Sequence, residues 1–453
     1  MLFNILVNKF LCFSTIHSRL QAGPGEISPP DKFEEVQRLF EHTVNAPVPG
    51  ASIIVIKNGS ILIKDGFGFA DIEHRVPNTS ETIFRLGSIT KQFTALAILQ
   101  LCEKRLLQID DPIERYLSGV ENRHQITIKH LLTHTSGMIE SPDSQLAFMP
   151  GEQFSYSNAG YDLLGKMIEN ISGNSYQGYL QENIFNPLGM NHTGCEQPGK
   201  KIKGMAVGYK TGPDGTAQNI GETNASGAFA AGSIYSTVED MYLWDQALYS
   251  ETFISSQSLD QAFAQITLND GRTAPYGFGW MVNQWNGLKE VSHGGDIAGF
   301  NTFISRFPTE KFSVIALSNV EMRPPGSLPN AEELSHHISD IYLSDKKTAE
   351  KENRTIQLNP EILQKYVGQY QLIDAPAEVI DAGGAIYTVI QNKDQLFVQS
   401  KLGEQIIIAE TETRFHLNNN TIINFEEKEG RVTGMVIDLM GLGIRIVNAT
   451  KLE

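Results

Sequence analysis

Much of what commonly betrays a protein's chemistry is scarce or missing in this chain. Only three of its 453 residues are cysteines, Cys12, Cys102 and Cys195. They cannot build a disulfide framework, because Cys12 lies in a leader-like segment and Cys102 in an apolar helical stretch, where it reads as core. No apolar run reaches the roughly 18 residues that span a bilayer. Positive charge is short: 36 Lys and Arg against 52 Asp and Glu leave a net charge of −16, which argues against nucleic acid and anionic membranes as main partners. The Gly-x-Ser-x-Gly elbow is absent, which weighs against an α/β-hydrolase. His-Glu-x-x-His, Cys-x-x-Cys and Gly-x-x-x-x-Gly-Lys-Ser/Thr are absent too, so zinc and nucleotide chemistry have no visible site and no cofactor is expected. His130 and His134 lie four apart, but no carboxylate or cysteine stands at ligand spacing. Helix packing and loop hydrogen bonds account for them better than a metal.

The first 25 residues carry Lys9 and Arg19, no acid before Glu26, and a short apolar core from Phe10 to Ile16. They resemble a weak secretory signal, interrupted by Asn4, Asn8 and Lys9. Export to a periplasm or the exterior is the expectation; a non-cleaved leader on a cytoplasmic protein is the alternative.

A chain of this length exceeds the usual size of one core, so a large domain with a smaller one is expected. Asp31 to Val44 reads as an amphipathic helix with Phe33, Val36, Phe40 and Val44 on one side. ASIIVIKNGSILIKDGFGFA then gives two β-branched strands around Asn58-Gly59, a strong hairpin signal. A second strand-rich block runs from GFGWMVN at 277–283 through HGGDIAGFNTFISRF to KFSVIALSN at 311–319. Between the blocks the signals are mostly helical, among them STVEDMYLWDQAL, where Ser236 and Glu239 read as a capping box. The expected fold is α+β: one antiparallel sheet from both ends, flanked by helices, with a helical insertion and a cleft between sheet and insertion. A helix from Ala331 to Leu343 closes this domain, which spans 26–345. A polar linker follows at 346–360, and short alternating strands from 361 to 453 form a separate all-β module.

Candidate chemistry begins in FRLGSITKQFTALAILQLCEKR. Ser88 and Lys91, three apart at the mouth of a buried helix, share one face within hydrogen-bonding reach. A buried ammonium there costs several kcal/mol unless it has partners or a purpose. The helix N-terminus favours an oxyanion at the serine and lowers the basicity of the lysine. The same spacing recurs at Ser344 and Lys347 in the linker, without such a setting. Tyr156-Ser157-Asn158, in a loop leading into an apolar helix, offers a phenol that a neighbouring ammonium could acidify until it takes a proton from Ser88. His293-Gly294-Gly295 lies in a strand, where paired glycines weaken a sheet unless something approaches the backbone closely; a substrate chain with its carbonyl held by backbone N–H groups is the expected reason.

These three elements in this order resemble the serine β-lactamase and penicillin-binding-protein superfamily, in its class C and D-alanyl-D-alanine carboxypeptidase branch, over roughly residues 30–345. LLTHTSG at 131–137 and AAGSIYSTVEDMYLW look like the same family. The third motif departs from the Lys-Thr-Gly of the named β-lactamases, which occurs literally at Lys210-Thr211-Gly212, but ahead of a Pro-Asp-Gly turn inside the helical insertion. His293-Gly294-Gly295 has the later, strand-like position and resembles the His-x-Gly of D-aminopeptidase and esterase relatives. The resemblance implies catalysis by Ser88, Lys91 and Tyr156, substrate binding by Asn158, His293, Gly294 and Gly295, and a small-molecule or short-peptide substrate. A non-catalytic binding or assembly protein keeping the fold is the alternative. The C-terminal module resembles a lipocalin-like barrel. Because the linker has few apolar residues to bury, limited proteolysis should cut between Ser344 and Pro360 and leave a core of about 340 residues; a single protease-resistant unit would contradict this division.

Overall fold

In the computed structural model, the described residues are 32–41, 47–120, 125–138, 145–212, 216–251, 253–321, 330–344, 356–373, 384–401, 403–418, 421–428, 430–438 and 447–452. The leader-like segment, Cys12 and Lys347 lie outside them. Six antiparallel strands form the main sheet: β1 (Ala51–Lys57), β2 (Ser60–Phe67), β3 (Met281–Trp285), β4 (Leu288–Ile297), β5 (Phe300–Phe307) and β6 (Phe312–Ser318), in the order β3-β4-β5-β6-β1-β2. The two ends of the catalytic-sized region therefore meet at the β6–β1 pair, as the sequence pattern predicts. The β1–β2 turn has Asn58 at φ 52° and Gly59 at φ 78°, the left-handed pair that a two-residue hairpin requires and that Asn-Gly supplies with little strain.

Both faces of this sheet are covered. Ile53 and Val55 of β1 face one cluster with Val36, Phe40, Leu334 and Ile338, whereas Ile54 and Ile56 face another. The period of two in a strand thus splits a continuous apolar run between two cores. The first cluster lies under α1 (Lys32–Arg38) and α6 (Ala331–Leu343). The second is built from the insertion, around α2 (Thr90–Glu103), α3 (Ile128–Leu132), α4 (Asn158–Ser172) and α5 (Val238–Ala247). Every residue of α2 from Thr90 to Leu101 is buried, so this helix is the axis of the insertion. Cys102, expected in the core, is half-buried at the rim of that cluster.

Two local expectations shift. α1 is shorter than the pattern predicted and leaves Phe33 exposed. The α5 cap is Thr237, whose side chain accepts from Asp240 N. Ser236 instead pairs with Thr193 at 2.7 Å, and Glu239 with Lys64: strand pairing with Phe84 holds Ser236 in extended backbone and moves the helix start one residue on. His130 completes a capping box at the start of α3, which fits packing rather than a metal.

Beyond α6, eight antiparallel strands from Gly368 to Lys451 close into a barrel in sequential order. Its interior is a third, separate cluster that includes Tyr366, Tyr370, Phe415 and Phe425. Ile356 N donates to Ala409 O at 3.0 Å and Leu358 is buried in the same cluster, so the last residues read as linker belong to the barrel. Among the described residues no helix is long and apolar enough to cross a membrane.

α5 is tied to the sheet by a fully buried ion pair. Asp245 accepts from Arg306 Nε at 2.6 Å and from Ser313 Oγ at 2.8 Å, with both charged side chains wholly out of solvent. Removing one partner leaves an uncompensated charge, whereas replacing both with apolar groups does not. Asp245→Ala should therefore lower unfolding stability by about 3–5 kcal/mol in a urea titration, and Asp245→Leu with Arg306→Met should cost much less. Equal losses in the two variants would show that packing, not charge, holds this contact.

Candidate active site

Ser88 sits where the short strand Phe84–Arg85 turns into α2. Leu86 N donates to Ile234 O at 2.8 Å, Gly87 takes φ 53°, and Gly87–Ile89 form one 3₁₀ turn ahead of the helix. Gly87 and Ile89 are buried, while Ser88 is half-exposed. The turn thus brings one hydroxyl to the surface of an otherwise buried element.

Lys91 lies wholly out of solvent. Its Nζ donates to Ser88 Oγ at 3.1 Å, to Asn158 Oδ1 at 2.8 Å and to Ala231 O at 2.9 Å. Asn158 is the first residue of α4, capped by Ser157; Ala231 lies in the Phe229–Gly232 turn. Three segments, the Ser88 turn, the start of α4 and the Phe229–Gly232 turn, therefore converge on one nitrogen. Burial pushes the Lys91 ammonium down to about 7, against a partial opposing pull from Asp162. The lowered basicity expected from the helix end is present, with burial as its main cause. Asp162 itself, one turn along α4 from Asn158, is pushed up to about 6 by burial.

Tyr156 is held beside this pair. Lys91 Nζ lies 4.7 Å from its ring centroid. Its hydroxyl is covered and has no hydrogen-bond partner among the described residues, while Ser88 stands near enough to draw its pKa down. Burial and the Asp296 carboxylate outweigh that effect and raise the phenol well above its ordinary value. The expectation of an acidified phenol is overturned: desolvating the phenolate costs more than the Ser88 hydroxyl returns.

The ring of Tyr156 rests on His134, with centroids 4.2 Å apart, and His134 Nδ1 accepts from Ser157 N at 3.0 Å. His134 thus supports the loop that carries Tyr156. Tyr276 also joins this aromatic cluster, 4.6 Å from His134. The loop hydrogen bond expected of His134 is present, but its support of the Tyr156 ring was not legible, and Tyr276 carries no local signal at all.

His293 to Gly295 lie in β4, an interior strand, yet their flank toward the site is open. β3 pairs with β4 only as far as Ser292, and past that point β4 faces the Ser88 turn. A Cβ at Gly295 would stand 1.9 Å from Leu86 O, and one at Gly87 3.1 Å from Asp296 N. The close approach predicted for the paired glycines is therefore real, but the chain that approaches Gly295 is the protein's own Leu86. Gly294 is different, since its Cβ would meet nothing closer than Phe303 Cδ2 at 3.5 Å. Lys210 is exposed on the small hairpin formed by Tyr209–Thr211 and Ala217–Asn219, and makes none of the contacts around Ser88 described above.

The Beta-lactamase family model matches residues 36–336. The chain belongs to the β-lactamase family. Across 87% of its length it is 30% identical to penicillin-binding protein 4* of Bacillus subtilis, covering 96% of that protein. Among solved structures it is similar to the octameric penicillin-binding protein homologue from Pyrococcus abyssi, at 25% identity and a TM-score of 0.60 over 92% of this chain and 100% of that one. It shares a fold with the D-amino acid amidase of Ochrobactrum anthropi, at 22% identity and a TM-score of 0.60 over 70% of this chain and 100% of that one. The Pyrococcus match extends past the residues of the family model, which end at 336, into the region of the barrel.

In this β-lactamase-family chain the two glycines should separate cleanly. Gly295→Ala forces the Leu86–Ser88 turn to move, and a displacement near 1 Å at a reacting atom can cost about 100-fold. The rate of Ser88 labelling by a fluorophosphonate should fall by about that factor, whereas Gly294→Ala should stay within about three-fold of the parent, since 3.5 Å is an ordinary contact.

Proposed function

We propose that the protein is a serine hydrolase that acts through an acyl-enzyme on amide, peptide or ester bonds. The observation that carries this reading is the buried Lys91 nitrogen shared among Ser88, Asn158 and Ala231. An ammonium can donate to all three. Once neutral, the amine keeps two N–H groups for Asn158 Oδ1 and Ala231 O, which can only accept, and turns its lone pair to Ser88 Oγ. Ser88 then attacks the substrate carbonyl as its proton passes to Lys91.

The developing oxyanion is held by the backbone N–H of Ser88 and one from β4 just after Gly295. Tyr156, kept protonated by burial, acts as the acid: its phenol supplies the proton to the leaving nitrogen or oxygen and recovers one from Lys91. Water releases the acyl group by the reverse proton path. Asn158, exposed at the mouth of the site, also binds the substrate amide. The barrel is read as a lipocalin-like packing partner of the catalytic region, and export as the role of residues 1–25.

Two measurements test this. Intact-mass analysis should find a fluorophosphonate or penicillin adduct that Ser88→Ala removes; an adduct that persists there and disappears in Ser344→Ala would sink the assignment. With Lys91 near 7, only the neutral amine accepts the Ser88 proton, so kcat/KM should fall about ten-fold per unit as pH drops below that value and level off above it. A flat profile through pH 6–8 would exclude Lys91 as the base. D-aminoacyl amides, short-chain aryl esters and a chromogenic cephalosporin form the substrate panel.

A further inference from the structure

His293 is the imidazole nearest the substrate face of β4, yet it is only 4% exposed and both ring nitrogens are occupied. Nδ1 lies 2.6 Å from Gly294 O. A carbonyl oxygen can only accept, so Nδ1 carries the proton. Nε2 lies 2.9 Å from the Tyr276 hydroxyl, and the neutral ring accepts there from the phenol. Tyr276 is itself fully buried. Its loop is wedged against α2: Gly279 takes φ 78°, and a Cβ there would stand 2.7 Å from Lys91 O. The lock on His293 is thus built on the same backbone that carries the lysine.

We propose that Tyr276 is a specificity-determining positioning residue: by donating to His293 Nε2 it fixes a neutral imidazole with no N–H for the substrate, so the site takes neutral amides and esters in preference to substrates bearing a free carboxylate.

The surroundings act in the same sense. The titratable or charged groups around the ring are Tyr276, Tyr156 at 6.2 Å between centroids, His134 and Lys91. Burial and the positive Lys91 hold His293 down at about 3, so no imidazolium forms near neutrality. The strand's next charge toward the mouth, Asp296, is negative and close enough to raise Tyr156. Arg85, only three residues from Ser88, is turned away and buried against Glu196 at 2.5 Å. A substrate carboxylate would therefore lose its hydration without gaining a strong donor from this strand, a cost that a neutral amide avoids.

The inference rests on the acyl-enzyme reading, and its test has an arm that does not. In the intact protein, the ¹⁵N imidazole signals of His293, identified by their loss in His293→Gln, should show the neutral Nδ1–H tautomer from pH 5 to 8. An imidazolium or an Nε2–H tautomer would overturn the lock even if catalysis proceeds as proposed. If no substrate is turned over, the acyl-enzyme reading fails while the spectrum still decides the lock. For turnover, a matched pair of acyl-dipeptides ending in D-alanine or D-alaninamide is compared. The wild type should favour the amide at least five-fold in kcat/KM, with a ratio constant within two-fold from pH 6 to 8. Tyr276→Phe should raise the carboxylate-to-amide ratio about ten-fold, chiefly through KM. A wild-type preference for the carboxylate, a ratio that climbs on the acid side, or an unchanged ratio in a folded Tyr276→Phe would each overturn the proposal; should that variant fail to fold, the wild-type ratio and spectrum decide.

Discussion

The constraint on which the rest of the site depends is the burial of one amine. Lys91 lies wholly out of solvent, and an isolated ammonium in that position would cost several kcal/mol. The fold supplies three acceptors from separate segments, Ser88, Asn158 and Ala231. To bring them together, α2 has to run through the middle of the insertion, surrounded on all sides. That is why its sequence is apolar on nearly every face; of its buried polar residues, Thr94 donates to Ala230 O and the Gln92 side-chain oxygen accepts from Trp244 Nε1. The same burial pushes Lys91 down to about 7 and Tyr156 up. The two proton affinities are thereby driven in opposite directions, although the ammonium and the phenol are weak acids of similar strength in water.

The second dependence is the contact between sheet and helix. β4 and the Ser88 turn touch backbone to backbone at Gly295 and Leu86, and Thr302 on β5 secures the contact by donating to Leu86 O at 2.8 Å. No side chain fits between them. Strand and turn are consequently held at a fixed backbone-to-backbone distance. The flank of β4 past Ser292 is left open, because β3 pairs with it no further than that residue.

His134 and Tyr276 show how a tightly packed aromatic cluster sets chemistry at a distance. His134 holds the Ser157 N–H and supports the Tyr156 ring. Tyr276 holds His293. His134 Nδ1 has to accept because the Ser157 N–H can only donate, and the Tyr276–His293 contact takes its direction from the proton that Gly294 O holds on Nδ1. Such fixed arrangements are costly to leave half-satisfied, which ties the polar interior of the site to its geometry.

The sequence by itself determined the features that rest on neighbours along the chain. Ser88 and Lys91 meet because residues three apart share a helix face; β1 and β2 pair because Asn58-Gly59 tolerates left-handed backbone; the barrel strands appear as alternating runs separated by turns. The order of three motifs then sufficed to indicate the family. Tertiary structure alone decided the rest. It left Lys210 exposed while carrying His293 to the Ser88 turn, moved the α5 cap from Ser236 to Thr237 by pairing Ser236 with Phe84, and placed Leu86 rather than a substrate against Gly295. It also fixed the protonation of Tyr156 and His293. Proton affinity depends on which groups surround a side chain and how much water they exclude, and those groups come from segments separated along the chain, as Lys91 is from His293, over distances at which no spacing rule carries information.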